Sequence, residues 1–503
     1  LLASLFLPWA ESGEMIMAGK FTRRQMLRNG VVGAAGVSLA SLVSPSLGAL
    51  GANERVRAAV AGVNGQGGHH LGRLSEMADT ELVYIVDPDS RLFASRIKQS
   101  QEKSKGRSNP KGVQDIRRIL DDKSIDVISV ATPNHWHSLI TIWACQAGKD
   151  VYVEKPMSHN IHEGRIAVET ARKYNRIVQH GTQSRSDKGW AQVAALVKSG
   201  KLGKLRVSRG LCYKSGSERS TRGDIGFAPI TNPPSELDFN IWMGPAKNLE
   251  YHENLVHYRW HNFWATGNGD LGNQGVHQMD IARWCIPGAT LPRSVVSFGG
   301  RLGPLDQGDV ANTEVAIMDF GDTQLIFETR GLPSPKYLDT TVGNILHFDA
   351  GMIVNKKFLP KGSDKPEPLP EVESTRGPGG DHFENFIAAV RSRKISDLNA
   401  EVLEGHYSAA LCHLANMSIR LGKKVPFEPR TAAFGDNPAA HEVYDRTVEY
   451  LKANKIDTNK SGYVLGRKLI VDAQAERIVD DAEANALLTR DYRKGFEVPA
   501  TIA

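Results

Sequence analysis

Three side chains in this sequence have the types and settings needed to move a proton and stabilise a developing charge: Lys155, His277 and Asn273. Lys155 stands in the run Asp150-Val-Tyr-Val-Glu-Lys-Pro156, where a short apolar strand meets a proline that cannot continue a regular ladder. Glu154 and Lys155 are therefore expected at a carboxyl end of a sheet, the place where open α/β sheets bind ligands. Oxidising an alcohol removes a proton from oxygen as hydride leaves carbon, and an ammonium close to that oxygen stabilises the alkoxide. The structural alternative for Lys155 is a salt bridge to a neighbouring carboxylate. His277 lies in a glycine-rich stretch, Gly267 to Trp284, in which Asn273, His277, Asp280 and Trp284 recur at helical spacing and share one helix face. Asparagine can orient a hydroxyl but cannot take its proton. Acid/base work therefore falls to His277 with Lys155, or to Asp270 if its loop folds inward. The alternatives are a core histidine satisfied by Asp280, and a helix-capping role for Asp270.

A second constellation suits a dinucleotide. The strand from Val56 runs into Gly62-Val-Asn64-Gly65-Gln66-Gly67-Gly68 and then a helix-like segment, with Asp87 at the end of the next strand. Gly62 and Gly67 take the first and third positions of the phosphate-binding fingerprint, for the tight turn and for close helix–strand packing. Asn64 occupies the second, so the phosphate must shift slightly or use Gly65. Asp87 can accept hydrogen bonds from the adenosine ribose hydroxyls and repels a 2′-phosphate, which favours NAD, while Arg91 keeps NADP open. Gln183 and Arg185, after a later strand, lie within expected reach of substrate or nicotinamide amide. Tyr258, Arg259, Trp260, His261, Phe263 and Trp264 read as a wall for stacking a sugar ring, with core packing taking at least two of them.

These residues need a scaffold that brings strand ends together. Val56 to Gly62, Leu82 to Val86, Val127 to Ala131, Val151 to Val153 and Ile177 to Gln179 are continuously apolar. They predict strands buried on both faces of a parallel, doubly wound sheet with helices between them. After the helix near Gly189 to Ser199 the texture changes to longer strand-like runs at Ser294 to Phe298, Thr313 to Phe320, Gln324 to Thr329 and Ile345 to Asp349. Gly321-Asp322 joins two of them with hairpin chemistry. The fold class expected is α/β, with an N-terminal Rossmann sheet and a C-terminal α+β domain built on a mainly antiparallel open sheet. The domains are expected at 53–183 and 184–425, between a leader at 1–52 and a C-terminal extension at 426–503. Residues 357–380, rich in proline, predict a loop. Amphipathic helices are predicted over His382 to Arg391 and Glu401 to Leu421, with helical patches at His441 to Leu451 and Ala482 to Leu488.

Composition narrows the function. The chain has 503 residues, 41% hydrophobic and 23% charged, and a formal net charge of +6, to which Lys20, Arg23, Arg24 and Arg28 contribute against Glu11 and Glu14. No basic block interleaved with aromatics stands out, so nucleic acid is not an expected partner. Cys145, Cys212, Cys285 and Cys412 show no C-x-x-C spacing, which argues against a zinc site and for buried free thiols; no metal site is expected. Near the start, Thr22-Arg23-Arg24-Gln25-Met26-Leu27 precedes a weakly apolar run, Val31 to Val43, and Pro45. This resembles a twin-arginine export signal. The run is too short and too rich in glycine and serine for a stable membrane span. Export to the periplasm through the twin-arginine machinery is expected, with cleavage between Pro45 and Ala52 and a start at Met15 or Met17.

The loop Thr132-Pro133-Asn134-His135-Trp136-His137, together with Glu154-Lys155-Pro156 and the strand spacing, resembles the glucose-fructose oxidoreductase, inositol dehydrogenase and MocA (Gfo/Idh/MocA) family over roughly residues 55–425. The resemblance implies a Rossmann domain with NAD(P), a second domain whose open sheet walls the site and often forms an oligomer interface, and carbohydrate-like substrates. It implies that Thr132, Pro133, Asn134, His137, Glu154 and Lys155 border the cofactor, and that the peptide before Pro156 is cis. Where the family commonly has an aspartate four residues before the histidine, this chain has Asn273. The expected function is an exported NAD(P)-dependent oxidoreductase acting on a sugar or cyclitol hydroxyl, with tightly held cofactor and homo-oligomeric. Two alternatives stay open: redox-neutral, NAD-dependent glycoside cleavage, and a cofactor-binding regulator without catalysis.

Overall fold

Strand Val127–Val130 and strand Asp150–Val153 are buried at every position, and their neighbours at nearly every one. Strands so apolar on both faces need cover on both sides, which a parallel sheet with crossover helices supplies. In the computed structural model, which describes residues 54–214 and 223–502, β1 (Val56–Ala61), β2 (Thr80–Val86), β3 (Lys111–Val113), β4 (Val127–Val130), β5 (Asp150–Val153) and β6 (Val178–His180) form one parallel sheet. Its order is β3-β2-β1-β4-β5-β6. The chain reverses direction across this sheet between β1 and β4, so the carboxyl ends of those strands open a crevice. The five expected strands are present within a residue or two. The edge strand β3 is three residues long and carries no apolar run.

The second sheet is larger and mostly antiparallel. It contains β7 (Leu205–Tyr213), β8 (Ser294–Gly300), β9 (Thr313–Asp319), β10 (Gln324–Arg330), β11 (Val342–Phe348), β12 (Gly351–Val354), β13 (Lys357–Pro360), β14 (Lys423–Pro426) and β15 (Gly462–Leu465), in the order β13-β12-β11-β7-β10-β9-β8-β15-β14. The β9–β10 pair closes through Gly321-Asp322, where Phe320 N–H donates to the Thr323 carbonyl at 3.0 Å. Its inner face packs on helices Gly275–Trp284 and Val402–Arg420 through residues such as Leu325, Phe327, Leu346, Met279 and Leu411. The predicted loop at 357–380 opens with β13.

Residues after Pro426 return to both layers. Helix Pro438–Ala453 covers the outer face of the second sheet, where Val443, Tyr444 and Leu451 meet Phe298, Val315 and Ile326. β15 extends that sheet, and the last residues then cross to the Rossmann layer, where Phe496 and Val498 join the core beneath Trp136 and Ile140. Arg490 donates to the carbonyls of His135 and Ala265 at 3.2 and 3.1 Å and pairs with Glu163 at 3.0 Å. The extension thus tethers the loop that follows β4.

All four cysteines are free and buried. Among the described residues no helix is long and apolar enough to cross a membrane, and no cluster of histidine, cysteine or carboxylate side chains could hold a metal ion. The twin-arginine run and the apolar stretch after it lie outside the described residues.

Candidate functional site

A cavity of about 960 Å³ opens at the carboxyl ends of β1, β2, β4 and β5. Its floor begins at the glycine loop. Gly62 has φ +78°, and a Cβ there would strike the backbone of Ala131 and Thr132 at 2.7 Å, so only glycine makes this turn. Gly67 lies under the Gly62 carbonyl, where a Cβ would fall 1.6 Å from its oxygen. It serves helix packing and is the one predicted cofactor residue that does not face the cavity. Helix α1 (Gly65–Glu76) starts at the edge of this space with Asn64 as its N-cap, and no side chain caps it. No atom lies within 4 Å of where a Gly65 Cβ would be. Open space against unsatisfied N–H groups at a helix start suits a phosphate, and it is offered by Gly65, as the Asn64 departure requires.

Asp87 is buried at the end of β2. Its carboxylate accepts from Val63 N–H at 2.9 Å and Asp89 N–H at 3.0 Å, while burial pushes its pKa up. Arg91 does not reach the cavity. It is drawn into a fork on Asp89, at 2.8 and 2.5 Å, and Arg96 is the arginine that lines the space instead. Buried Thr132 Oγ1 and Asn134 Oδ1 have no hydrogen-bond partner among the described residues, although both residues line the cavity. Buried polar atoms are rarely left orphaned, so a ligand with donors fits against them. His137 ties this loop to the Glu-Lys-Pro corner, its ring nitrogens 2.6 Å from the Pro156 carbonyl and 2.7 Å from that of Thr132. The Lys155–Pro156 peptide is cis. These residues together fit a dinucleotide.

At the far end of the cavity Lys155 Nζ donates to Asn273 Oδ1 at 3.3 Å and stands 4.0 Å from Glu154 Oε2. Gln183 donates to Glu154 Oε1 at 3.2 Å. Asn273 ends the short helix Gly269–Asn273, and His277 lies one turn along the next, Gly275–Trp284; both line the same wall. Burial, and then the charge of Lys155, lower the His277 pKa to about 4, so its ring is neutral at physiological pH. Asp280 does not serve His277. Its two oxygens accept from Arg185 Nε at 3.0 and 2.9 Å, and one also from Ser408. That pairing removes Arg185 from the pocket, contrary to the expected reach toward substrate. Asp270 lies buried in the first turn of its helix, whose N-cap position is Asn268 with no side-chain cap, and stands 3.8 Å from His261.

The aromatic wall is half as long as expected. Tyr258, Arg259 and Trp260 face the cavity. Phe263 packs in a separate core with Trp242 and Leu255, His261 turns its Nδ1 to the Tyr258 carbonyl, and Trp264 lies under Arg420.

Sequence reasoning missed a roof. A segment of the second domain folds over the ends of β2 and β4. Asp238 N–H donates to the Pro88 carbonyl at 2.9 Å, His257 Nε2 meets Asp89 at 2.7 Å, and Trp136 Nε1 donates to the Ile241 carbonyl at 3.1 Å. Ile241, Trp242, His257 and Lys214 thereby line the cavity opposite the glycine loop.

Comparison with known proteins agrees with this geometry. Residues 56–182 match the model of an oxidoreductase family with an NAD-binding Rossmann fold, and residues 191–296 match the C-terminal alpha/beta domain of that family. Inositol 2-dehydrogenase of Salmonella paratyphi B is 26% identical over 162 residues, 32% of this chain and 46% of the relative. Levoglucosan dehydrogenase of Pseudarthrobacter phenanthrenivorans is 25% identical over 194 residues, 39% of this chain and 41% of the relative. The chain spans about half the length of the curated relatives it matches. Among solved structures, the WlbA dehydrogenase of Bordetella pertussis, in complex with NADH and UDP-GlcNAcA, has a TM-score of 0.53 at 17% identity. That alignment covers 73% of this chain and 97% of that one, and it speaks to fold.

Proposed function

We propose, from the match of residues 56–182 and 191–296 to the two domain models of the Gfo/Idh/MocA oxidoreductase family, that the chain is an NAD-dependent oxidoreductase acting on a hydroxyl of a sugar, sugar derivative or cyclitol. The observation that carries the reading is the convergence of Lys155, Asn273 and His277 on one wall of the cavity whose other end is the glycine loop. NAD, when bound, supplies the hydride acceptor. Gly62, Gly65 and Asp87 would hold its adenosine and phosphates, and Thr132, Asn134 and Glu154 would border its nicotinamide end. Lys155 places a positive charge beside the substrate oxygen, where it stabilises the alkoxide as the proton departs. His277, neutral above about pH 4, can take that proton. Asn273 accepts from the ammonium at 3.3 Å and so fixes its direction.

The roof from residues 237–260 supports tight retention of the cofactor, since leaving requires parting Asp238 from Pro88 and His257 from Asp89. Retention accords with export of the folded, loaded protein by the twin-arginine route, which the leader sequence favours. It also requires a second substrate to reoxidise the bound cofactor.

The test is to denature mature protein and analyse what it releases, then to assay a panel of polyols and sugars with a carbonyl acceptor. The expected result is about one nicotinamide dinucleotide per chain and a keto product from at least one hydroxyl donor. Release of no dinucleotide with no oxidation overturns the proposal, and so does liberation of an aglycone from glycosides without net oxidation.

A further inference from the structure

Two turns into α1, His70 is fully buried and belongs to none of the roles above. Its ring sits edge-on to Tyr152 and Phe383, with centroids at 5.1 and 5.0 Å, and these contacts fix its plane. Nδ1 lies 2.8 Å from Ser129 Oγ on β4, and Nε2 lies 3.1 Å from Glu154 Oε1 at the end of β5. Glu154 is only 3% exposed, yet its pKa is held well below the usual carboxylate range: burial works against ionisation, and the His70 hydrogen bond and Lys155 outweigh it. An ionised carboxylate only accepts, so Nε2 carries a proton toward Glu154, and the other ring nitrogen is held by its hydrogen bond with the Ser129 hydroxyl.

Glu154 is the hinge of the reacting end. Oε1 accepts from Gln66 Nε2 at 3.3 Å and Gln183 Nε2 at 3.2 Å as well as from His70, and Oε2 accepts from Lys155 N–H at 3.2 Å. Lys155 Nζ stands 4.0 Å from Oε2 and donates to Asn273. A continuous line therefore runs Ser129, His70, Glu154, Lys155, Asn273, from behind the sheet to the cavity. Of the three donors on Oε1, Gln66 and Gln183 line the cavity, whereas His70 approaches from the protein interior and is held by packing.

We propose that His70 is a positioning residue for the reaction: its Nε2–H, in a ring held by Ser129, Tyr152 and Phe383, orients Glu154 so that Lys155 points at Asn273 and the substrate oxygen. Without this donor a buried carboxylate loses its best-fixed partner. It then takes up a proton or draws Lys155 onto itself, and either outcome spoils the placement of the ammonium. The inference rests on the proposed role of Lys155, but its first readout requires no substrate.

The experiment compares wild type, His70→Phe, His70→Gln and Ser129→Ala as full-length loaded protein. Lys155 reactivity is measured by trace acetylation at neutral pH with mass-spectrometric quantitation, alongside NADH affinity and, on an accepted substrate, kcat and KM. His70→Phe keeps the ring in its aromatic slot without the donor. Its Lys155 acetylation is expected to change by about threefold or more, in either direction, as the ammonium loses its fixed neighbour. Its kcat is expected to fall roughly tenfold to a hundredfold with KM little altered, the scale typical of residues that orient groups at a site. His70→Gln, whose amide can donate to Glu154, recovers most of both, and Ser129→Ala shows a smaller shift in the same direction as His70→Phe. Unchanged Lys155 acetylation and kcat in His70→Phe overturn the proposal. If that variant does not fold, unchanged values in Ser129→Ala overturn it instead. Altered Lys155 reactivity in His70→Phe, together with a wild type that oxidises no hydroxyl, would retain the positioning role and reject the oxidoreductase reading.

Discussion

Two buried carboxylates, on opposite sides of the molecule, show what separates a reactive cluster from a scaffold. Glu328, on the outer face of the second sheet, is fully buried and surrounded by cations: Arg446 at 2.6 and 2.9 Å, Arg209 and Arg330 each at 3.4 Å, with Tyr213 donating at 2.6 Å. Helix Pro438–Ala453 supplies Arg446 and closes over the group. Glu154 is almost as deeply buried, but its close donors include no lysine or arginine side chain: two glutamine amides, a histidine ring and a backbone N–H. Among the described residues the lysine nearest to it, Lys155, stands at 4.0 Å and faces the cavity. Both carboxylates are held ionised. At Glu328 the charge is spent on arginines that lie away from the cavity; at Glu154 amides, an imidazole and a backbone N–H satisfy the oxygens, and the lysine is left directed toward the cavity.

The sharpest way to break this contrast is to remove one cation from each cluster. Lys155→Met is expected to lower kcat by about 10²- to 10⁴-fold, the range for a group acting on the proton or charge in flight, with the thermal midpoint nearly unmoved. Arg446→Met leaves Glu328 with Tyr213 and two longer arginine contacts and is expected to cost about 2–3 kcal/mol of stability, while the folded fraction keeps wild-type kcat and KM. Steady-state kinetics and denaturant unfolding on both variants decide it. Loss of stability in Lys155→Met, or loss of turnover per folded molecule in Arg446→Met, would erase the distinction.

What was legible in the sequence follows the same division. β1, β4 and β5 announce themselves because burial on both faces demands unbroken apolar runs, and the Glu-Lys-Pro corner follows from β5 alone. β7, the strand between β11 and β10, escaped notice because Arg206, Ser208 and Arg209 interrupt its apolar pattern; the buried Arg209 is satisfied by Glu328, a partner 119 residues away. The roof escaped for the same reason, since His257 meets Asp89 across 168 residues and no spacing encodes that. His70 could have been suspected: a histidine beyond the glycine loop, on the helix face that packs against the sheet, needs a buried partner. Arg185 misled because its position after β6 is right for the pocket, but its charge is claimed by Asp280 inside the protein.

A second pair sharpens the electrostatic comparison through pH. Glu314 on β9 is buried with no ion pair among the described residues, and burial raises its pKa to about 8. A carboxyl whose folded pKa lies above its ordinary value contributes stability below about pH 4.5, and this is lost as pH rises through about 8. Buried histidines act in the opposite sense. His277 and His382 are lowered to about 4, and His135, His180 and His413 to about 3, by burial. Their contribution is present above pH 6.5 and lost as pH falls toward 4. Stability is therefore expected to peak around pH 7, where the gain from the five histidines and the loss at Glu314 balance, and to decline on both sides. Glu314→Gln should flatten the alkaline side, being more stable than wild type by about 1–3 kcal/mol at pH 8.5 and close to it at pH 5. Urea titrations at the two pH values measure this, and an unchanged alkaline slope would assign the decline to other groups.

The smallest effect is expected at Asn273, the position where the family it resembles commonly has an aspartate. Asn273→Asp places a carboxylate 3.3 Å from Lys155 Nζ, in addition to Glu154 at 4.0 Å. It keeps the acceptor that orients the ammonium and adds a group able to take a proton. If His277, neutral above about pH 4, already removes the proton, the extra base changes little. The expected result is a kcat within about threefold of wild type at neutral pH, with the acid limb of the kcat profile still set by His277. His277→Asn in the wild-type background should then lose most turnover, and Asn273→Asp should restore part of it. A gain of about 100-fold from Asn273→Asp alone would mean that the wild-type site lacks an effective base, and that Lys155 and Asn273 hold a ligand in place without oxidising it.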